Sequence, residues 1–116
     1  MLVVDPRHWL REDGSFPDEL PELRPRIVRV ARFVESGALL RPLQTRETLI
    51  ECKNRPGGRP CLGFMVVAKH RDDSIEGFCP ECGEREVWIH SWQQTRWARG
   101  PADPVRDPKL VSPGVA

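Results

Sequence analysis

Four residues dominate the chemistry that this 116-residue sequence can offer: Cys52, Cys61, Cys79 and Cys82. The tightest unit is Cys79-Pro80-Glu81-Cys82-Gly83. Two thiolates with this spacing can close on one metal ion if the backbone makes a tight knuckle, and Gly83 permits the backbone angles such a knuckle favours. A lone C-x-x-C also serves redox dithiols, so the upstream pair shifts the balance. Cys52 ends one expected strand and Cys61 opens the next, which gives C-x8-C-x17-C-x2-C along the chain. Two hairpin tips, each presenting two sulfurs, can meet around one ion. Zinc favours four ligands in a tetrahedron, and four cysteines are a common structural set.

These residues resemble the zinc-ribbon group, in which two cysteine-bearing knuckles join short antiparallel strands. The resemblance covers about residues 48–92 and implies one structural Zn2+ held by Cys52, Cys61, Cys79 and Cys82. Only the second knuckle has the usual C-P-x-C-G pattern. The first is wider, which leaves Cys52 open to replacement by a nitrogen ligand from His90 or His70. A competing reading treats Cys52 and Cys61 as small buried apolar residues and Cys79 with Cys82 as a redox pair. Thioredoxin-like motifs open a helix within a longer βαβ unit, whereas strand-like sequence surrounds this one on both sides. Four closed thiolates leave no position for a catalytic water. No G-x-S-x-G or H-E-x-x-H accompanies the three histidines, so no enzymatic activity is expected.

Binding is the remaining class of function. The net charge of +1 argues against a diffuse attraction to nucleic acid, but the charge is uneven. Residues 41–71 carry a net +5 and residues 72–99 a net −3. The wide loop between Cys52 and Cys61 is basic and glycine-rich, and Lys53, Arg55 and Arg59 can reach phosphate oxygens. It contains no P-loop signature, and the same composition suits a solvated loop beside a metal. Arg29 and Arg32, with Arg26 at their flank, form a second basic row. The third surface runs from His90 to Trp97, where Trp92 and Trp97 can stack on bases or anchor a protein partner. Trp88 and Trp92 suit a core role better, which leaves Trp97 as the exposed contact. Nucleic acid and protein are both candidate partners, and the sequence names neither.

The elements that must position these groups follow from periodicity and breakers. Residues 1–24 read as an irregular arm, because Asp5-Pro6, Asp13-Gly14, Phe16-Pro17 and Leu20-Pro21 are turn signals. Residues 25–47 hold a helix and connector. Pro25 suits the helix start and Gly37 its stop, while Ile27, Val30, Ala31 and Val34 form one apolar stripe. Residues 48–99 form the zinc-ribbon-like module, and residues 100–116 a proline-rich mobile tail. The expected fold is therefore α+β: one N-terminal amphipathic helix packed on a small antiparallel sheet of three or four strands. The stripe is expected to face Leu62, Phe64, Val66 or the Trp88 and Trp92 rings. No run approaches the roughly 18 apolar residues of a membrane span, and the start lacks the features of a secretory signal. A cytoplasmic location without membrane contact is expected, where four cysteines suit a metal better than disulfides.

Overall fold

A computed structural model of the chain describes residues 1–9 and 24–100. The arm between residues 10 and 23 and the tail from residue 101 lie outside the described residues. The described residues form an α+β fold, with one α-helix and a five-stranded mixed sheet among them. In chain order the elements are β1 (Leu2–Val4), α1 (Arg24–Gly37), β2 (Thr45–Glu51), β3 (Phe64–Lys69), β4 (Ile75–Phe78) and β5 (Arg85–Ile89). The sheet order is β1-β5-β4-β3-β2. Strands β2 to β5 form an antiparallel meander, and β1 adds in parallel beside β5 with Val4 opposite Ile89.

Two features of the expected fold are thereby corrected. The sheet is neither three- or four-stranded nor purely antiparallel, because Leu2-Val3-Val4 joins it, and the helix follows this strand and is not the N-terminal element. Three β-prone residues before a proline are too short to carry a period, so their pairing is decided by the free edge of β5.

The helix lies on one sheet face. Ile27, Val30, Phe33 and Val34 are buried, as the 3.6-residue period requires, with Ala31 only partly buried. Opposite them the pleat aligns Val4, Ile89, Ile75 and Lys69 in one row and Val87, Gly77 and Val67 in the next. The packing is close enough that a side chain at either of two glycines would displace a neighbour. A Cβ on Gly77 would lie 2.6 Å from Phe33 Cε1, and one on Gly37 would lie 3.1 Å from Ile75 Cγ2. Gly37 therefore serves helix–sheet contact inside the last helical turn; it is not among the residues with positive φ.

The phase of β3 is the reverse of the expected one. Met65 and Val67 are buried, while Leu62 and Phe64 are 88% and 48% exposed. The run Leu62–Ala68 is apolar in both phases apart from Gly63, so alternation cannot choose the inner face. Lys69 then occupies an inward position at 2% exposure. Its ammonium is satisfied by Ala38 O, Leu40 O and Asp73 Oδ1 at 3.1, 2.9 and 2.9 Å, and it lies 4.6 Å from the Trp92 ring centroid. The short helical turns Trp92–Gln94 and Arg96–Arg99 close this end of the core with buried Trp92 and Trp97.

Candidate metal centre

The cysteines sit at one end of the sheet, on two loops that the backbone shapes independently. Beyond β2 and β3 the hairpin continues, with Cys52 N–H donating to Gly63 O and Cys61 N–H to Asn54 O at 3.0 and 2.9 Å. This pairing keeps Cys52 and Cys61 side by side despite the eight residues between them. Those residues are spent on an outer turn at Pro56–Gly58, where Gly57 and Gly58 take φ of 66° and 83°. The second loop is a knuckle: Gly83 N–H donates to Cys79 O, Cys79 N–H donates to Glu84 O, and Gly83 has φ of 79°.

The two loops bring all four sulfurs within 4.8 Å of one another. Cys52 Sγ lies 3.7 Å from Cys82 Sγ, and Cys61 Sγ lies 3.7 Å from Cys79 Sγ. A tetrahedron with metal–sulfur bonds of about 2.3 Å has sulfur–sulfur edges of about 3.8 Å. The donor set and its dimensions therefore fit one metal ion, and Cys52, Cys61, Cys79 and Cys82 are positioned to bind it. Cys52 and Cys79 are buried and Cys61 and Cys82 half-buried, so the cluster is closed on the core side and touches solvent on the other.

Backbone and amide donors surround the sulfurs. Asn54 N–H donates to Cys52 Sγ and Gly63 N–H to Cys61 Sγ, each at 3.4 Å, and Asn54 Nδ2 donates to Cys82 Sγ at 3.6 Å. Such donors stabilise sulfur in its charged form and fix its direction. Burial pushes the Cys52 thiol up to about 12, whereas the Asn54 side chain and the Glu84 backbone draw Cys82 down to about 7. Four adjacent sulfurs cannot all carry charge unless a cation balances them.

The other candidate residues are distributed around this centre. Neither His70 nor His90 belongs to the sulfur cluster. Both flank Trp88 on the sheet face away from the helix, stacked at ring distances of 4.8 and 5.6 Å, and His70 Nε2 lies 2.9 Å from Glu76 Oε1. Lys53, Arg55 and Arg59 are exposed on the first loop; Arg55 and Arg59 flank its outer turn, where Arg55 donates to Gly58 O at 2.9 Å. The helix arginines separate. Arg26 and Arg32 are exposed, whereas Arg29 forks onto Glu86 at 2.6 and 2.7 Å and reaches Glu51 O at 2.9 Å. Trp92 and Trp97 are 4% and 8% exposed, so neither offers the free ring that a surface contact needs. Trp97 was the expected exposed contact; the turn at Arg96–Arg99 folds it back against the core instead.

Asn54 and Gly63 are the contributors that sequence reasoning missed. Each lies two residues after a cysteine, the spacing at which a backbone N–H can turn back to the preceding Sγ. Gly63 also leaves room for the second loop, since a Cβ there would lie 3.0 Å from Cys79 Sγ. An open groove of about 1200 Å3 adjoins the centre, lined in part by Arg32, Arg46, Leu49, Leu62 and Phe64. Among the described residues no helix is long and apolar enough to cross a membrane. No family model matches the chain, and comparison with curated proteins and with solved structures found no match.

Proposed function

We propose that this chain is a small adaptor module held together by one structural Zn2+ on Cys52, Cys61, Cys79 and Cys82, in the manner of a zinc ribbon, and that it works by binding and not by catalysis. The observation that carries this reading is the sulfur geometry: two pairs at 3.7 Å inside a cluster no wider than 4.8 Å. Zinc suits four thiolates in a tetrahedron, and such a site has no open coordination position for a substrate or water. What the ion supplies is a cross-link between the two loops. Binding energies of roughly 10–16 kcal/mol in model peptides rival the whole stability of a small domain. A reducing compartment such as the cytoplasm keeps the thiols available. The test is the metal content of protein purified without added zinc, beside four single Cys→Ser variants. About one zinc per chain, lost in each variant, supports the reading, and a metal-free wild type with native spectra refutes it.

The partner best supported is nucleic acid, contacted through Lys53, Arg55 and Arg59. All three side chains are exposed on the loop that the metal would hold, where Gly57 and Gly58 allow close approach to a phosphate backbone. Arg26 and Arg32 are further exposed basic residues, Arg32 in the groove that Pro56 of this loop also lines, while Arg29 is committed to Glu86. Affinity carried this way falls steeply with salt and drops in Arg55→Ala/Arg59→Ala. A protein partner is the second reading, now supported by Leu49, Leu62 and Phe64, which are 56%, 88% and 48% exposed and line one groove. Binding there would respond little to salt and would be lost in Leu62→Ser/Phe64→Ser.

A further inference from the structure

The four sulfurs are not equivalent, and their inequality has a pattern. Each close pair joins the two loops and contains one buried and one half-buried member. Cys82 is half-buried and touches buried Cys52; Cys61 is half-buried and touches buried Cys79. The pair nearest in sequence, Cys79 with Cys82, belongs to a single knuckle whose sulfurs are each turned toward the other loop.

We propose that the centre is a redox-sensitive staple: a peroxide converts it from metal-held to disulfide-held, pairing Cys52 with Cys82 and Cys61 with Cys79. This rests on the reading of the four sulfurs as one metal site. The solvent-facing sulfurs, Cys61 and Cys82, meet the oxidant first. Each thiolate attacks one peroxide oxygen, giving a sulfenic acid and hydroxide. The buried partner thiolate then attacks the sulfenic sulfur and expels a second hydroxide, leaving a disulfide. Over both pairs, four thiolates and two hydrogen peroxide molecules yield two disulfides and four hydroxide ions, and the divalent ion is released. Four cysteines allow three pairings, and the geometry favours this one. Each sulfur needs to move by less than about 1 Å to close from 3.7 Å to a bond of about 2.0 Å. Both bonds run between the loops, so the hairpin and the knuckle stay joined after the metal has left. Pairing within the knuckle would instead release one loop from the other.

The experiment uses the wild-type zinc-loaded chain, so no variant has to fold. Hydrogen peroxide is titrated in while a chromophoric chelator reports free zinc, and aliquots are alkylated and digested without reductant. Trypsin with a glutamate-specific protease cuts after Lys53 and Glu81 and places the four cysteines in separate peptides. The expected result is zinc release complete near two peroxide equivalents, the cross-loop peptides as the main products, and recovery of zinc binding after dithiothreitol. Near-ultraviolet circular dichroism should retain the signal of the buried tryptophans in the oxidised form. Peptides joining Cys79 to Cys82, sulfinic acid at Cys61 or Cys82 as the main product, or loss of the tryptophan signal each overturn the proposal. If the purified protein holds no zinc, the metal reading fails by itself. Peptide mapping of the peroxide-treated, metal-free chain then still decides the pairing.

Discussion

Gly63→Ala tests whether the two cysteine loops pack as closely as the centre requires. The carbon that alanine adds would lie 2.7 Å from Glu81 Cγ, 2.9 Å from Glu81 Cβ and 3.0 Å from Cys79 Sγ. Relaxed contacts between such atoms lie about 0.5–1 Å further out. Gly63 is not among the glycines with positive φ, which are Gly57, Gly58, Gly83 and Gly100, so the perturbation is steric alone. The Glu81 side chain is exposed and its Cγ can rotate away, but two obstacles remain. Its Cβ is set by the knuckle backbone, and Cys79 Sγ cannot rotate without leaving the cluster. The loops must therefore part, at about 1–3 kcal/mol for overpacking of this size. Because the strain falls between the two halves of the ligand set, it should reappear as weaker metal binding, by about 5- to 150-fold. Competition with a chromophoric chelator measures this directly. Leu62→Ala, one residue earlier and exposed, is the control and should bind zinc within twofold of wild type. Gly63→Ala binding equally well, with unchanged thermal stability, would refute the packing argument.

The helix–sheet contact gives a second prediction. In Gly77→Ala the new methyl meets Phe33 at 2.6 Å from Cε1 and 2.8 Å from Cδ1, and urea unfolding should show a loss of about 1–3 kcal/mol. Phe33→Leu in the same chain should recover part of it; strictly additive losses would show that the ring is not the obstacle. A third concerns acid stability. Burial by itself would raise the Glu76 carboxyl, but hydrogen bonds from Arg85 and His70 outweigh it and hold the group below its ordinary value. A lowered folded-state value contributes stability above the unfolded-state value and loses it as pH falls through the folded one. Wild type should therefore lose stability more steeply than Glu76→Gln below about pH 4.5, and identical acid limbs in denaturant titrations would contradict this.

The cysteine centre was legible because its signal is local. The spacing C-x-x-C-G encodes a knuckle, and a second pair at the ends of a hairpin needs only the meander to bring it near. The basic exposed loop was legible for the same reason. What escaped depends on which neighbour wins. Leu2–Val4 looks like any short apolar start until β5 offers it an edge. Residues 62–68 are apolar in both phases, so the inward choice of Met65 and Val67 follows from the helix that covers them. Arg29 reads as one of a solvated row, and only the tertiary fold brings Glu86 to it. Trp97 precedes a proline-rich segment and looks exposed, yet the turn at Arg96–Arg99 packs against the helix and buries it.

The irregularities of the sheet gather at the end where the sulfurs are. Between β2 and β3 the register shifts between Glu47 and Glu51, and the Thr48 hydroxyl spans the gap by donating to Met65 O while accepting from Ile50 N–H. Between β4 and β5 it shifts at Phe78, which faces Arg85 and leaves Glu86 as the extra residue. A bulge bends its strand and re-aims its side chains. Here one bulge frees Glu86 to take the Arg29 fork, and the same guanidinium holds Glu51 O, the residue before Cys52. Arg29 thus ties the helix to the start of the first cysteine loop and to the strand that leaves the second. Regular ladders would hold β2 on β3 and β5 on β4 in strict register; the two shifts relax that register in the strands that lead into the first cysteine loop and out of the second. A ladder weakened in this way needs another tie at that end, and a metal ion held by the four converging sulfurs would supply one.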